Sequence, residues 1–453
     1  AMDSLTEDDL LTLLDEPMEA ISTDNASSPA WFIELLTAFT EQGAADFTLS
    51  PSAGGQDAQG VAFFNTLKPL LRSKLSRLGA GIQELIQRYS ALPFDPQTII
   101  SLLFANIPLI IFPILSKTIV LEMHVARMQG RLQGVTPEER FQTFLQELSQ
   151  PEKMLSLLEE YAVLARELVE TFDRWVACEL ELLERLCADW EQIQSVLLPS
   201  GDPGVLVEIQ QGAGDTHRGG HSVTILTWSS GFRLIYKPRA MGLDVHFQEL
   251  LSWVNARGQQ PAFRTLTIID KQTYGWSEFV PARDCTSREE IERFYQRQGG
   301  YLALLYALEA TDFHAENLIA SGEHPVLVDL EALFHPRLGE DTPQINPADK
   351  AIGHSVLRIG MLPQRIWSSD QTEGVDISGL GGFAGQLTPS PIPIWKEIGT
   401  DQMRIMRERV AIPLKENQPK LNGQEINILE YSDSIVTAVS YTHLRAHETG
   451  RNL

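Results

Sequence analysis

The sequence predicts an α+β fold in which a large helical region precedes a two-lobed core, and three observations carry that prediction. Residues 1–195 hold apolar residues at helical spacing, with charge on the opposite faces. Residues 196–300 change to short strand-like runs joined by glycine-rich turns. Residues 301–438 run from a long helical stretch into "TDFHAENLIASGEHPVLVDLEAL", a dense cluster of carboxylates, histidines and an asparagine.

Within the first region, "RLGAGIQELIQRYSAL", "PEERFQTFLQELSQ" and residues 157–193 read as amphipathic helices. Thr136 and Pro137, followed by two glutamates, form a helix start. "TIISLLFANIPLIIFPIL", residues 98–115, carries no charge and is long enough to suggest a membrane span. Asn106, Pro108 and Pro113 instead favour buried helices broken at the prolines, so no transmembrane span is expected.

The turn-rich "LLPSGDPG", residues 197–204, marks the change of texture. Three strands follow at 205–212, 221–228 and 232–239, the first two joined by "GAGDTHRGG". "LDVHFQELLSWVNARG" reads as a helix opened by Asp244 and closed by Gly258. "RTLTIIDK" and "YGWSEFVP" are further strands, and residues 287–310 form a long helix leading into the acidic cluster. The distal part mixes glycine- and proline-rich loops with helical pieces such as "DQMRIMRERV". Residues 439–453 lack periodicity and read as a tail foreign to the fold.

Composition narrows the functional classes. The chain has 453 residues, enough for two or three domains, and its 43% hydrophobic and 21% charged content is that of a globular protein. A net charge of −24 argues against nucleic acid, which needs basic surface; it suits a basic peptide partner and equally serves solubility alone, the more general reading. Cys178, Cys187 and Cys285 show no pairing pattern, the usage expected in a cytoplasmic setting.

Three strands with a glycine-rich turn, a lysine on the third and then a helix are the layout of a kinase amino-terminal lobe. ATP phosphates need close backbone approach and a cation fixed on rigid strand, for which Lys237 is the candidate; taken alone it reads also as a strand-end lysine reaching to solvent. In the cluster, Asp312 is positioned to orient or deprotonate an attacking hydroxyl. Asn317 and Asp329 are hard oxygen ligands suited to Mg²⁺ beside nucleotide phosphates. His314 reads equally as a catalytic group or a brace for the loop, and Glu331 as a second metal carboxylate or a surface charge. Asp215 and His217, at the tip of the glycine-rich turn, read either as ordinary turn chemistry or as a second reaction on a phosphorylated product.

Together, "GDTHRGGHSV", "FRLIYKPRAMGLDVHFQELLSWVN", "YGWSEFV", "TDFHAENLIASGEHPVLVDLEALFHP" and "SVLRIGMLP" resemble the dehydratase domain of class II lanthipeptide synthetases. The resemblance covers most of residues 80–436 and implies a lipid-kinase-like two-lobed catalytic core with an added helical region. It also implies ATP- and Mg²⁺-dependent phosphorylation of Ser and Thr in a precursor peptide carrying a leader, followed by phosphate elimination to dehydroalanine or dehydrobutyrine. The family's nucleotide-side lysine matches Lys237, its catalytic-loop residues match Asp312, His314 and Asn317, and its metal carboxylates match Asp329 and Glu331. Asp215 and His217 match positions the family needs for activity. The family's zinc-dependent cyclase ligands have no counterpart here, nor does its Arg- and Thr-bearing elimination stretch beyond "YSDSIV". The expectation is therefore a dehydratase portion truncated before the cyclase, with elimination impaired.

Two other readings fit part of the pattern. A small-molecule phosphotransferase of the aminoglycoside-kinase type shares the D-x-H-x-x-N loop and following D-x-E. A pseudokinase-like scaffold would keep the fold without catalysis.

Overall fold

In the computed structural model, the described residues are 28–40, 63–198, 201–212, 220–335, 346–366, 374–382 and 385–440. Among the described residues, the first part holds the α-helices α1 (Ala30–Thr40), α2 (Lys68–Arg88), α3 (Ile99–Phe104), α4 (Ile107–Met128), α5 (Pro137–Leu148), α6 (Pro151–Glu160) and α7 (Ala162–Val196). The expected start at Thr136 is a full capping box, with Thr136 accepting from the Glu139 backbone while Glu139 reaches back. The stretch read as one helix over 157–193 divides at Tyr161, whose backbone leaves the helical region while its hydroxyl donates to Glu122 at 2.6 Å.

The apolar stretch behaves differently from expectation. Its break falls at Ala105 and Asn106, ahead of Pro108, which occupies the first turn of α4. Pro113 stays inside α4, so neither proline is where the chain is interrupted. Residues Ile99–Met128 are long and apolar enough to cross a membrane by length and composition alone, and 39% of the most apolar window is buried within the protein. Asn106 instead donates to the Ile209 carbonyl at 2.7 Å, tying the break to the first strand.

The strands β1 (Leu206–Gln210), β2 (Thr224–Trp228), β3 (Arg233–Lys237), β4 (Ile268–Asp270) and β5 (Gly275–Glu278) form one antiparallel sheet in the order β1-β2-β3-β5-β4. α7 packs along it, with Trp190 stacked on Trp228 at 5.3 Å. Asp189 is buried on α7, yet it accepts from Tyr274 and Trp276 of the sheet at 2.9 and 2.8 Å and pairs with Lys271 at 2.7 Å. A buried carboxylate with three donors is compensated, so it fixes how the helix meets the sheet. One continuous apolar core accordingly runs from the helices into the sheet.

A second core gathers around α8 (Gly242–Ala256), α9 (Arg288–Ala307) and the hairpin β6 (Leu318–Ser321) and β7 (His324–Leu327). The apolar run between Asn317 and Asp329 is thus two strands, reversed at Gly322 with φ +61°. α9 carries Gly299 and Gly300 because neighbours press on it. A Cβ at Gly299 would lie 2.3 Å from the Ile435 carbonyl, and one at Gly300 would lie 2.7 Å from Phe263. Ile435 belongs to a helix over 432–440, which continues past residue 438; Val439 packs on this core, and 441–453 lie outside the described residues.

The distal part holds α10 (Pro347–Gly353) and the short pairs β8 (Arg365–Ile366) with β9 (Val375–Asp376), β10 (Ile392–Lys396) with β11 (Arg404–Glu408), and β12 (Lys420–Leu421) with β13 (Gln424–Glu425). "DQMRIMRERV", expected to be helical, is corrected: it contains β11. Its partner β10 supplies the pairing, and Asp401, fully buried, pairs with Arg140 at 2.7 Å and donates its backbone N–H to the Pro137 carbonyl. Those two bonds to the start of α5 hold the hairpin in place.

Candidate active site

Lys237 closes β3, an interior strand of the sheet flanked by β2 and β5, and is itself paired with Gly275 of β5. Its Nζ lies 3.1 Å from Asp244 Oδ1 and donates to the Val328 carbonyl at 2.7 Å. Asp244 is therefore not the helix opener read from sequence. The cap position of α8 is Met241, and the Asp244 carboxylate, buried on the same face as Phe247 and Leu251, serves as counter-charge to the strand lysine. An acidic residue on an apolar helix face was the signal available in the sequence.

Arg239, which the sequence reading did not single out, is the second cation. It donates to Asp244 Oδ2 at 2.7 Å, lies 3.4 Å from Asp329 Oδ1 and lies 2.5 Å from Glu331 Oε1. Burial works most strongly against its charge, but Asp244, Glu331 and Asp329 outweigh it and hold the guanidinium above its ordinary value. Lys237 and Arg239 thus connect the strand end to the segment around residue 329.

The loop after α9 brings the other predicted residues together. Asp312 has φ +64°, a left-handed conformation that aspartate tolerates and most side chains avoid. The loop is held there by its neighbours: buried Phe313 donates its N–H to the Ile359 carbonyl at 2.7 Å, and Ala315 donates to Ile377 at 2.9 Å. A Cβ at Gly379 would stand 2.6 Å from the Phe313 carbonyl, so that crossing needs glycine. Asn317 Nδ2 donates to the Asp312 carbonyl at 2.8 Å, while the Asp312 side chain stays 67% exposed.

The His314 ring is bonded within this loop. Its Nδ1 accepts from the Glu316 N–H at 3.2 Å, which places the ring proton on Nε2, 3.6 Å from Asp312 Oδ1. Glu316 is held below the usual carboxylate range by its hydrogen bond to Lys415.

At the open end of the β6–β7 hairpin the Asn317 carbonyl accepts from the Val328 N–H at 3.0 Å, which sets Asn317 across from the residue before Asp329. Asp329 Oδ1 accepts from the Glu331 N–H at 3.1 Å, which fixes the turn that presents both carboxylates. The amide and the two carboxylates offer hard oxygen donors, which suit Mg²⁺ completed by phosphate oxygens. Among the described residues there is no cluster of three or more His, Cys, Asp or Glu able to hold a metal by itself. Asp215 and His217 lie outside the described residues.

Residues 161–449 match a family model described as a domain of unknown function, DUF4135. The chain is also 30% identical over 287 residues to the lacticin 481/lactococcin biosynthesis protein LcnDR2 of Lactococcus lactis subsp. lactis. That similarity covers 60% of this chain and 30% of the relative, so the chain spans less than a third of the relative's length.

Proposed function

The chain belongs to the DUF4135 family, and on that premise we propose that it is the dehydratase portion of a class II lanthipeptide synthetase. The observation that carries this reading is the Lys237–Asp244 pair with Lys237 bonded to the Val328 carbonyl, which sets a fixed cation beside Asp329. The similarity to a lacticin 481/lactococcin biosynthesis protein supports a peptide as substrate.

In this reading a lipid-kinase-like core has two lobes, residues 196–300 over the nucleotide and residues 301–438 carrying the loop. Asp312 takes the proton of a Ser or Thr hydroxyl whose oxygen attacks the γ-phosphorus of ATP, and ADP leaves. Its exposed carboxylate on a backbone held by Phe313, Ala315 and Asn317 suits that task. Lys237 orients the phosphates, and Asn317, Asp329 and Glu331 would hold Mg²⁺, which supplies charge neutralisation at the phosphoryl oxygens. Elimination then removes the α-proton and expels phosphate from Cβ, leaving the dehydro residue. Asp215 and His217 are assigned to that step on resemblance alone. The setting is cytoplasmic and the substrate a leader-bearing precursor peptide.

The test is incubation with Mg-ATP and a Ser/Thr-rich precursor peptide, read by mass spectrometry, with Lys237→Ala alongside. Phosphate gain or water loss on the peptide, absent in the variant, is expected. Modification of an aminoglycoside with no change in any peptide would overturn the peptide reading.

A further inference from the structure

The guanidinium of Arg239 spends its donors on carboxylates from two distant segments, Asp244 on α8 and the Asp329–Glu331 turn. Asp244 is buried and also holds Lys237, whereas Asp329 and Glu331 are more than 40% exposed. The inner half of the Arg239 contact is therefore anchored and the outer half is open to competition. A divalent cation on Asp329 Oδ1 and Glu331 Oε1 would need the oxygens Arg239 now faces, and two cations cannot share them without strong repulsion. Resting on the function proposed above, we propose that Arg239 is an internal counter-cation of the metal site. It holds Asp329 and Glu331 until metal arrives together with a polyphosphate, and then, still anchored on Asp244, it turns to the phosphate oxygens. A planar fork with several donors can make that exchange without leaving Asp244, which a lysine cannot.

The consequence is that free metal binds weakly and nucleotide-bound metal binds well. Mn²⁺ titration followed by electron paramagnetic resonance, without nucleotide, tests this on the wild-type chain, Arg239→Gln, Arg239→Lys and Asp329→Asn. Arg239→Gln is expected to bind Mn²⁺ about tenfold more tightly than wild type, the scale on which groups behind a metal ligand act. Affinity for a non-hydrolysable ATP analogue with saturating Mn²⁺ is expected to fall in the same variant. Arg239→Lys, which keeps a charge for Asp244 and guards against misfolding, is expected to lie between the two. Unchanged or weaker Mn²⁺ binding in both Arg239 variants, with Asp329→Asn still abolishing it, overturns this inference and leaves the proposed function standing. Mn²⁺ binding that ignores Asp329→Asn in every background overturns both.

Discussion

Lys237 Nζ stands 3.1 Å from Asp244 Oδ1, and the two side chains are buried together between β3 and α8. Asp244 is the shared counter-charge of Lys237 and Arg239, so removing its charge leaves two cations facing each other in a poorly solvated site. Asp244→Asn keeps the shape and loses the charge. It is expected to destabilise the fold by about 3 kcal/mol, the scale on which breaking one side of a buried pair acts. Urea unfolding followed by tryptophan fluorescence measures this.

Lys237→Met has a different signature. Asp244 keeps Arg239 as partner, so stability should fall less than in Asp244→Asn. Loss of a fixed cation at developing phosphoryl charge should slow peptide phosphorylation roughly 10²–10³-fold. Phosphopeptide formation rates, with unfolding curves on the same samples, separate the two effects.

The strands at 206–210, 224–228 and 233–237 and the helices on either side were legible because alternation, helical spacing and glycine punctuation agree there. That Asn317 and Asp329 stand at the same end of one hairpin follows from the short apolar run between them, which folds back on itself. Arg239 was not legible, since its partner Asp329 lies 90 residues away and an arginine after a strand carries no local mark. The hairpin at 392–408 was misread for a related reason. "DQMRIMRERV" has apolar residues at both spacings, and what decides between them is pairing with Ile392–Lys396 and the buried contact of Asp401 with Arg140.

Glu179 on α7 predicts a pH dependence of stability. Burial pushes its carboxyl up to about 8, while Gln211 bonds it at 2.5 Å. The folded value lies above the unfolded one, so this group's contribution is complete below the ordinary carboxylate range. It is lost as pH rises from about 4.5 through about 8. Glu179→Gln keeps an acceptor for Gln211 and cannot ionise. It should raise the melting temperature at pH 8 and change it little at pH 4.5; an equal shift at both would assign the effect to packing.

His314 offers the sharpest separation of brace from catalyst. Its Nδ1 accepts from the Glu316 N–H, the position of an N-cap side chain on the short 3₁₀ turn Ala315–Asn317. Asparagine can make that bond through its side-chain carbonyl, but it cannot carry a proton on and off near neutral pH. His314→Ala should therefore cost about 1 kcal/mol, as loss of a cap does, and slow phosphorylation as the Asp312 loop loosens. His314→Asn should restore stability to within about 0.5 kcal/mol of wild type and recover most of the phosphorylation rate. The arms are thermal unfolding and phosphopeptide formation across pH 6 to 9. Restored stability with the rate still lost in His314→Asn would move His314 from brace to proton carrier, with Asp312 3.6 Å from its Nε2.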